Sequence, residues 1–151
     1  MAETIPDNNI VLENVHLNLN TSAGLINILR GISLEIKSGE SVAVIGPSGG
    51  GKTTLLMAIA GLEKISCGSL KVAGLETSEL GEDDLAVSRR ENFGIVFQDF
   101  HLIPTMTALE NVAIPLELAG ESSNTAFSVS RNQLQSVGLA HRFDHYPSQL
   151  S

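Results

Sequence analysis

The sequence predicts an α/β fold: a core built on a phosphate-binding loop, an antiparallel β part ahead of it, and the start of a helical part behind it. Three observations predict this. Gly46-Pro47-Ser48-Gly49-Gly50-Gly51-Lys52-Thr53-Thr54 has a glycine, four free positions, then Gly-Lys and a hydroxyl residue, a pattern that chance supplies in roughly one chain in two hundred of this size. An apolar run at 41–45 precedes it and a helical segment at 55–60 follows it, the strand–loop–helix setting a phosphate cradle needs. Alternating apolar residues dominate before the loop, and helical spacing appears after residue 107.

In chain order, residues 1–9 are polar and acidic and read as a lead-in, lacking the basic start and apolar core of a signal peptide. Residues 10–19 alternate so that Val15, Leu17 and Leu19 share one strand face. Residues 20–24 read as a turn, and alternation from Ile32 to Ile36 marks a second strand. A tight connection at 37–40 enters the apolar strand 41–45 before the glycine loop. Gly61 sits where a helix C-cap belongs. Residues 69–74 form a short strand and turn, and Gly81-Glu82-Asp83-Asp84 opens a helix with acids in its first turn and Arg89-Arg90 in its last. Residues 93–97 read as a buried strand ending at Gln98.

The character changes near residue 99. Residues 100–106 form a loop rich in large apolar side chains, and Thr107 with Glu110 makes a capping-box pattern. Pro115 should bend or limit the helix that follows. Residues 120–124 read as a polar turn and 125–137 as a second helix. The expected organisation is a lead-in at 1–9, a nucleotide-binding core at 10–98, and the start of a helical subdomain at 99–151.

Composition bounds the partners. The 151 residues carry a net charge of −8, which argues against a nucleic-acid binder working through a broad basic face. One cysteine, Cys67, excludes an internal disulfide, and no run of about 18 apolar residues spans a membrane.

The chemistry assigns roles around the loop. A helix N-terminus offers unpaired N–H groups and the positive end of a dipole to an anion. Glycines let the backbone wrap around a β-phosphate. Lys52 can reach the β- and γ-phosphates, Thr53 can ligate Mg²⁺, and Thr54 offers a further hydroxyl to phosphate. The glycine-rich turn Gly46, Pro47, Ser48, Gly49, Gly50, Gly51 supplies the backbone.

With these motifs in hand, the chain resembles an ATP-binding cassette (ABC) ATPase subunit from about Ile10 to Ser151. Gly46 to Thr54 resembles Walker A. Val96-Phe97-Gln98 resembles the entry to the Q-loop. Tyr146-Pro147-Ser148-Gln149-Leu150-Ser151 resembles the approach to the signature Leu-Ser-Gly-Gly-Gln, so Leu150 and Ser151 form a partial signature. The wording from Ala108 to Pro115 is most similar to the lipoprotein-release, macrolide-export and cell-division branch.

The resemblance implies a P-loop NTPase core with an N-terminal antiparallel β-subdomain and the start of an α-helical subdomain, truncated. It implies ATP and Mg²⁺, with Lys52 and Gln98 in catalytic roles and Thr53 and Gln98 near the metal. Phe100, His101, Leu102, Ile103 and Pro104 would meet a membrane-spanning permease subunit, and a second ABC ATPase subunit would complete a homodimer on the cytoplasmic face of the inner or plasma membrane. Satellite core packing is the other reading of that apolar loop. Leu19 falls where many members place an aromatic residue against adenine, so base affinity or discrimination is in doubt. Gly50 replaces a common Ser or Cys at little expected cost.

The chain stops before Walker B, its catalytic carboxylate and the later switch histidine, and His16, His101, His141 and His145 match no such role. The expectation is therefore the N-terminal part of a longer protein, with weak or absent nucleotide binding and no measurable hydrolysis by these residues alone. A small-molecule kinase is a second reading, though it does not call for Gln98 and the terminal Pro-Ser-Gln-Leu-Ser together. A non-hydrolysing nucleotide-binding or regulatory module from a truncated gene is a third.

Overall fold

The computed structural model describes residues 8–22 and 24–150, so the expected lead-in lies outside the described residues except for its last two positions. The chain divides into two compact units, Met1–Ile95 and Val96–Ser151.

The first unit is built on an antiparallel sheet of order β2-β1-β3-β4. Strands β1 (Asn8–Thr21) and β2 (Gly24–Lys37) pair along their whole length, from Asn8 opposite Lys37 to Thr21 opposite Gly24. Strand β3 (Cys67–Val72) lies on the other side of β1, with Leu12 opposite Leu70. Strand β4 (Leu75–Glu76) closes a two-residue hairpin through Ala73 and Gly74, both at positive φ (49° and 82°), the conformation such a turn selects.

Alternation along β1 is interrupted between Leu12 and Val15. Leu12, Val15 and Leu17 are all fully buried, yet Leu12 and Val15 lie three residues apart. The register slips between them, and Asn14 in the slip adopts φ 48° and donates its N–H to Ser33 Oγ at 3.0 Å. A bulge of this kind adds one residue and restores the apolar set to the core face.

Helix α1 (Lys52–Ile59) supplies Leu55, Ala58 and Ile59 to the core formed by Leu12, Val15, Leu17, Leu29, Leu70 and Val72. Burial of each such leucine contributes about 1.5–3 kcal/mol relative to exposure. The helix ends as the sequence predicts. Gly61, at φ 66°, donates to Ala58 O, and Leu62 donates to Met57 O, the paired bonds of a Schellman motif. Helix α2 (Glu82–Asn92) has the expected acidic start and basic end and buries Leu85, and Arg89 Nη1 donates to Gly61 O.

Two expected strands differ. Residues 41–45 and 93–97 are not in a ladder, and among the described residues neither has a strand beside it. Ile45 is 90% exposed and Val96 99% exposed, although Phe93 still packs against the core. A strand is defined by its neighbours' hydrogen bonds, and apolar content alone does not supply them.

The second unit is a helical hairpin. Helix α3 (Ala108–Leu118) starts at the predicted capping box: Glu110 N donates to Thr107 Oγ1 at 3.3 Å and Thr107 N to Glu110 Oε2 at 2.7 Å. Its N–H groups at Ala108 and Leu109 donate to the carbonyls of His145 and Phe143, which tie down the C-terminal loop. Pro115 does not limit this helix, which continues to Leu118. Helix α4 (Ser123–Ser136) begins two residues earlier than expected because Ser122 Oγ accepts from Thr125 N. The helices share a core of Ala108, Leu109 and Leu134 with Val112, Phe127, Leu139, Phe143 and Leu150. Among the described residues no helix is long and apolar enough to cross a membrane.

Candidate functional site

The glycine loop leaves the apolar segment 41–45 and enters α1. Helix α1 has no side-chain cap, and its first internal bond runs from Leu55 N to Gly51 O at 2.8 Å. The N–H groups of Lys52, Thr53 and Thr54 are therefore the donors that a helix start leaves over. Together with the helix dipole they make an anion site.

Gly51 is the N-cap, in the left-handed region at φ 82° and ψ 7°. A Cβ there would lie 3.2 Å from Ile28 Cγ2 and 3.3 Å from Ile28 O. Glycine thus serves twice, allowing the conformation and letting the loop lie against β2. Gly50 differs: its φ is not left-handed, and its N–H donates to Pro47 O at 3.2 Å. A Cβ at Gly50 would meet Pro47 O at 3.1 Å, away from β2.

Lys52 folds back over the loop. Its Nζ donates to Gly46 O at 3.0 Å and to Pro47 O at 2.6 Å. The ammonium therefore sits among the loop's own carbonyls. Thr53 is exposed and Thr54 half-buried. Gly46, Pro47, Ser48 and Gly49 are exposed, with Gly49 at φ 76°. Among the described residues no group of three or more His, Cys, Asp or Glu side chains is placed to hold a metal. The oxygen donors at the loop are hydroxyls, which suit a Mg²⁺ held chiefly by phosphates and water.

Leu19 lies near the far end of the β1–β2 hairpin, 38% exposed, past the fully buried Leu17 on the same strand face. Gln98 is exposed and belongs to the second unit.

In that second unit the loop 100–106 is held by one side chain that sequence reasoning passed over. Asn111 Oδ1 accepts from Ile103 N at 2.7 Å, while its Nδ2 donates to the carbonyls of Ile103 (3.2 Å), Met106 (3.0 Å) and Thr107 (3.0 Å). Its place one turn into α3 is the available signal, since an Asn there can reach the chain ahead of the cap. Phe100 is 81% exposed, and His101, at φ 49°, stacks edge-on against Phe97 with ring centroids 4.7 Å apart. Asp99, Phe100, His101, Leu102, Pro147 and Leu150 line a groove of about 490 Å³. Ile103 and Pro104 lie beside it in the loop, both exposed. Ser151 lies outside the described residues.

The left-handed glycine cap, the uncapped helix start and the infolded lysine define a P-loop protein of the α/β class. Residues 29–151 match the ABC transporter family profile. The chain belongs to this family. It is 46% identical over 126 residues to the lipoprotein-releasing system ATP-binding protein LolD of Novosphingobium aromaticivorans, covering 83% of this chain and 56% of LolD. It is 42% identical over 149 residues to the uncharacterized ABC transporter ATP-binding protein YbbA of Escherichia coli, covering 97% of this chain and 65% of YbbA. A solved dimer of the ATP-binding cassette MJ0796, in a post-hydrolysis state bound to ADP and Pi, superposes with a TM-score of 0.86 at 36% identity, covering 94% of this chain and 63% of that one. The chain thus spans between half and two thirds of the length of these proteins.

Proposed function

We propose that this chain is the nucleotide-binding part of an ABC transporter's ATP-binding subunit, holding MgATP at the loop Gly46–Thr54. The observation that carries the reading is the placement of Lys52 Nζ on the Gly46 and Pro47 carbonyls, beside the unpaired N–H groups that open α1. A triphosphate entering there exchanges the lysine's carbonyl partners for phosphate oxygens, a charge-assisted contact roughly twice as strong as a neutral one. The backbone N–H groups of Lys52, Thr53 and Thr54 take the β-phosphate. The Thr53 hydroxyl would hold Mg²⁺, which neutralises charge on the phosphates when bound.

The names of the relatives support the rest of the proposal. A second ATP-binding subunit faces this one, as the MJ0796 cassette is described as a dimer. A membrane-spanning partner docks at the loop 100–104, and the assembly lies at the cytoplasmic face of the membrane. The lipoprotein-releasing system of LolD and the macrolide export of MacB in Aeromonas hydrophila, 46% identical over 126 residues (83% of this chain and 19% of MacB), mark the kind of system served. On this reading residues 1–151 alone hold nucleotide at most weakly and do not turn it over.

The test is equilibrium binding of MgATP to the chain and to Lys52→Ala, with phosphate release measured in parallel. Binding that Lys52→Ala abolishes, without release of phosphate, is the expected outcome. Binding undiminished in Lys52→Ala would overturn the site.

A further inference from the structure

The last turn of α2 carries an arginine whose side chain serves a different helix, and the inference from it rests on the nucleotide reading above. By sequence, Arg89 belongs to the basic end of its own helix. In the structure the end of α2 is served by Asn92, whose Nδ2 donates to Ser88 O at 3.1 Å. The half-buried Arg89 instead donates from Nη1 to Gly61 O, in the turn that ends α1. Among the described residues no carboxylate pairs with it, while Arg90 beside it pairs with Glu91 at 3.5 Å.

That turn is the far end of the helix whose first N–H groups make the anion site. Helix α1 has 8 residues, so it is about 12 Å long and moves as one short rod. Near its middle it is held by the apolar contacts of Leu55, Ala58 and Ile59, which have no direction of their own. Its end is held by α2. A Cβ at Gly61 would lie 3.1 Å from Leu85 Cδ2 and 3.7 Å from Arg89 Nη1, so two side chains one helical turn apart rest on this glycine. Packing there is incomplete. A cavity of about 20 Å³, room for about one water, is lined by Ala58, Gly61, Ile65 and Leu85 among others. Among the described residues the Arg89 bond is the one hydrogen bond that another element makes to this turn. It also places a cation at the negative end of α1.

We infer that Arg89 is a positioning residue of the phosphate site: through Gly61 it fixes the tilt of α1, and with it the aim of the Lys52, Thr53 and Thr54 N–H groups at an anion. A rod pivoting near its buried middle moves about as far at one end as at the other. A slip of about 1 Å at Gly61 therefore displaces the loop donors by a similar distance, enough to take a hydrogen bond of about 2.9 Å out of its effective range. Arg89 lies a helix length from the anion, so it acts on nucleotide and bare polyphosphate alike.

The experiment measures binding of magnesium tripolyphosphate to the chain, Arg89→Met, Arg89→Lys and Leu34→Ala, well below each melting midpoint. Arg89→Met keeps an apolar stem and removes the donors, and should weaken binding about threefold to tenfold. Arg89→Lys keeps a cation and a donor and should stay within about twofold of the unaltered chain. Leu34→Ala changes a part-buried residue of the sheet core; it should lower the melting midpoint and leave affinity unchanged, which separates positioning from stability. Hydrogen exchange adds a reading that needs no variant. Tripolyphosphate should slow exchange of the Gly61 and Leu62 amides, whose bonds close α1, more than that of the β3 amides, because coupling between two sites is reciprocal. Binding undiminished in Arg89→Met would overturn the inference and leave the phosphate site standing. Equal losses in Arg89→Met, Arg89→Lys and Leu34→Ala would overturn it too, since affinity would then follow stability alone. Should Arg89→Met fail to fold, exchange at Gly61 and Leu62 slowed no more than in β3 would overturn it. No tripolyphosphate binding by the unaltered chain would overturn the phosphate site, and this inference with it.

Discussion

Two adjacent glycines of the loop should respond oppositely to the same methyl group. Gly51 sits at φ 82°, where an L-residue costs about 1–2 kcal/mol. Its Cβ would also lie 3.2 Å from Ile28 Cγ2, 3.3 Å from Ile28 O and 3.4 Å from Leu29 Cδ2, so β2 or α1 must shift. Overpacking of this kind adds about 1–3 kcal/mol. Loss of glycine's freedom in the unfolded chain returns about 0.4–1 kcal/mol. Gly51→Ala should therefore destabilise the first unit by about 2–3 kcal/mol. Gly50 has no left-handed φ, and its Cβ would meet chiefly Pro47 O at 3.1 Å, in an exposed turn that can give. Gly50→Ala should stay within about 1 kcal/mol of the unaltered chain, because the entropic gain and the close oxygen nearly cancel. Thermal unfolding followed by circular dichroism reads both, and at about 4–8 °C per kcal/mol for a unit of this size the melting points should differ by at least about 4 °C. Equal melting points for the two variants would refute the reasoning, because they would show that neither the φ of Gly51 nor its approach to Ile28 constrains the loop.

Other residues make equally direct predictions. Asn111→Ala removes four hydrogen bonds to the loop ahead of α3. It should cost about 1–3 kcal/mol and speed chymotrypsin cleavage at Phe100 and Leu102 with helix content unchanged. Leu17→Ala empties a fully buried site and should cost about 3–5 kcal/mol in urea unfolding, whereas Leu19→Ala, on the same strand face but part exposed, should cost less than about 1 kcal/mol. Burial opposes ionisation of Glu76, but hydrogen bonds from Ser78, Ser69 and Leu70 N and the charge of Lys71 outweigh it and hold its carboxyl below the ordinary value of 4.5. A carboxyl depressed on folding stabilises above its unfolded pKa, so that contribution is present above about pH 5 and lost as pH falls through the depressed value. Melting curves over that range should fall less steeply for Glu76→Gln.

Features written in a few consecutive residues were legible in the sequence. The loop Gly46–Thr54, the Thr107–Glu110 capping box and the Gly61 helix stop each depend on bonds between near neighbours, and each appears where its residues place it. The Ser122 cap was readable by the same rule, since a serine three places before Thr125 can accept its N–H, but the surrounding polar residues read as turn. What the sequence did not show is pairing. Apolar runs at 41–45 and 93–97 have strand composition, yet a ladder requires a second chain segment at the right height, and composition carries no record of that segment. The slip at Asn14, which returns Val15 to the core face three residues after Leu12, likewise belongs to the match between β1 and β2.

The candidate site has the same division. Its anion-binding part is local, because a helix start and a lysine within one short loop make it. Its shape is not local. Gly51 must be glycine because β2 passes beside it at Ile28, more than twenty residues earlier in the chain. Ile28 is the extra residue where the β1–β2 register shifts, and the same shift sets Leu19 opposite Ile26. The residue that lies against Gly51 is thus also the one that the register shift inserts. A substitution that removed this shift should therefore loosen the approach of Ile28 to Gly51 and move Leu19 off Ile26 together.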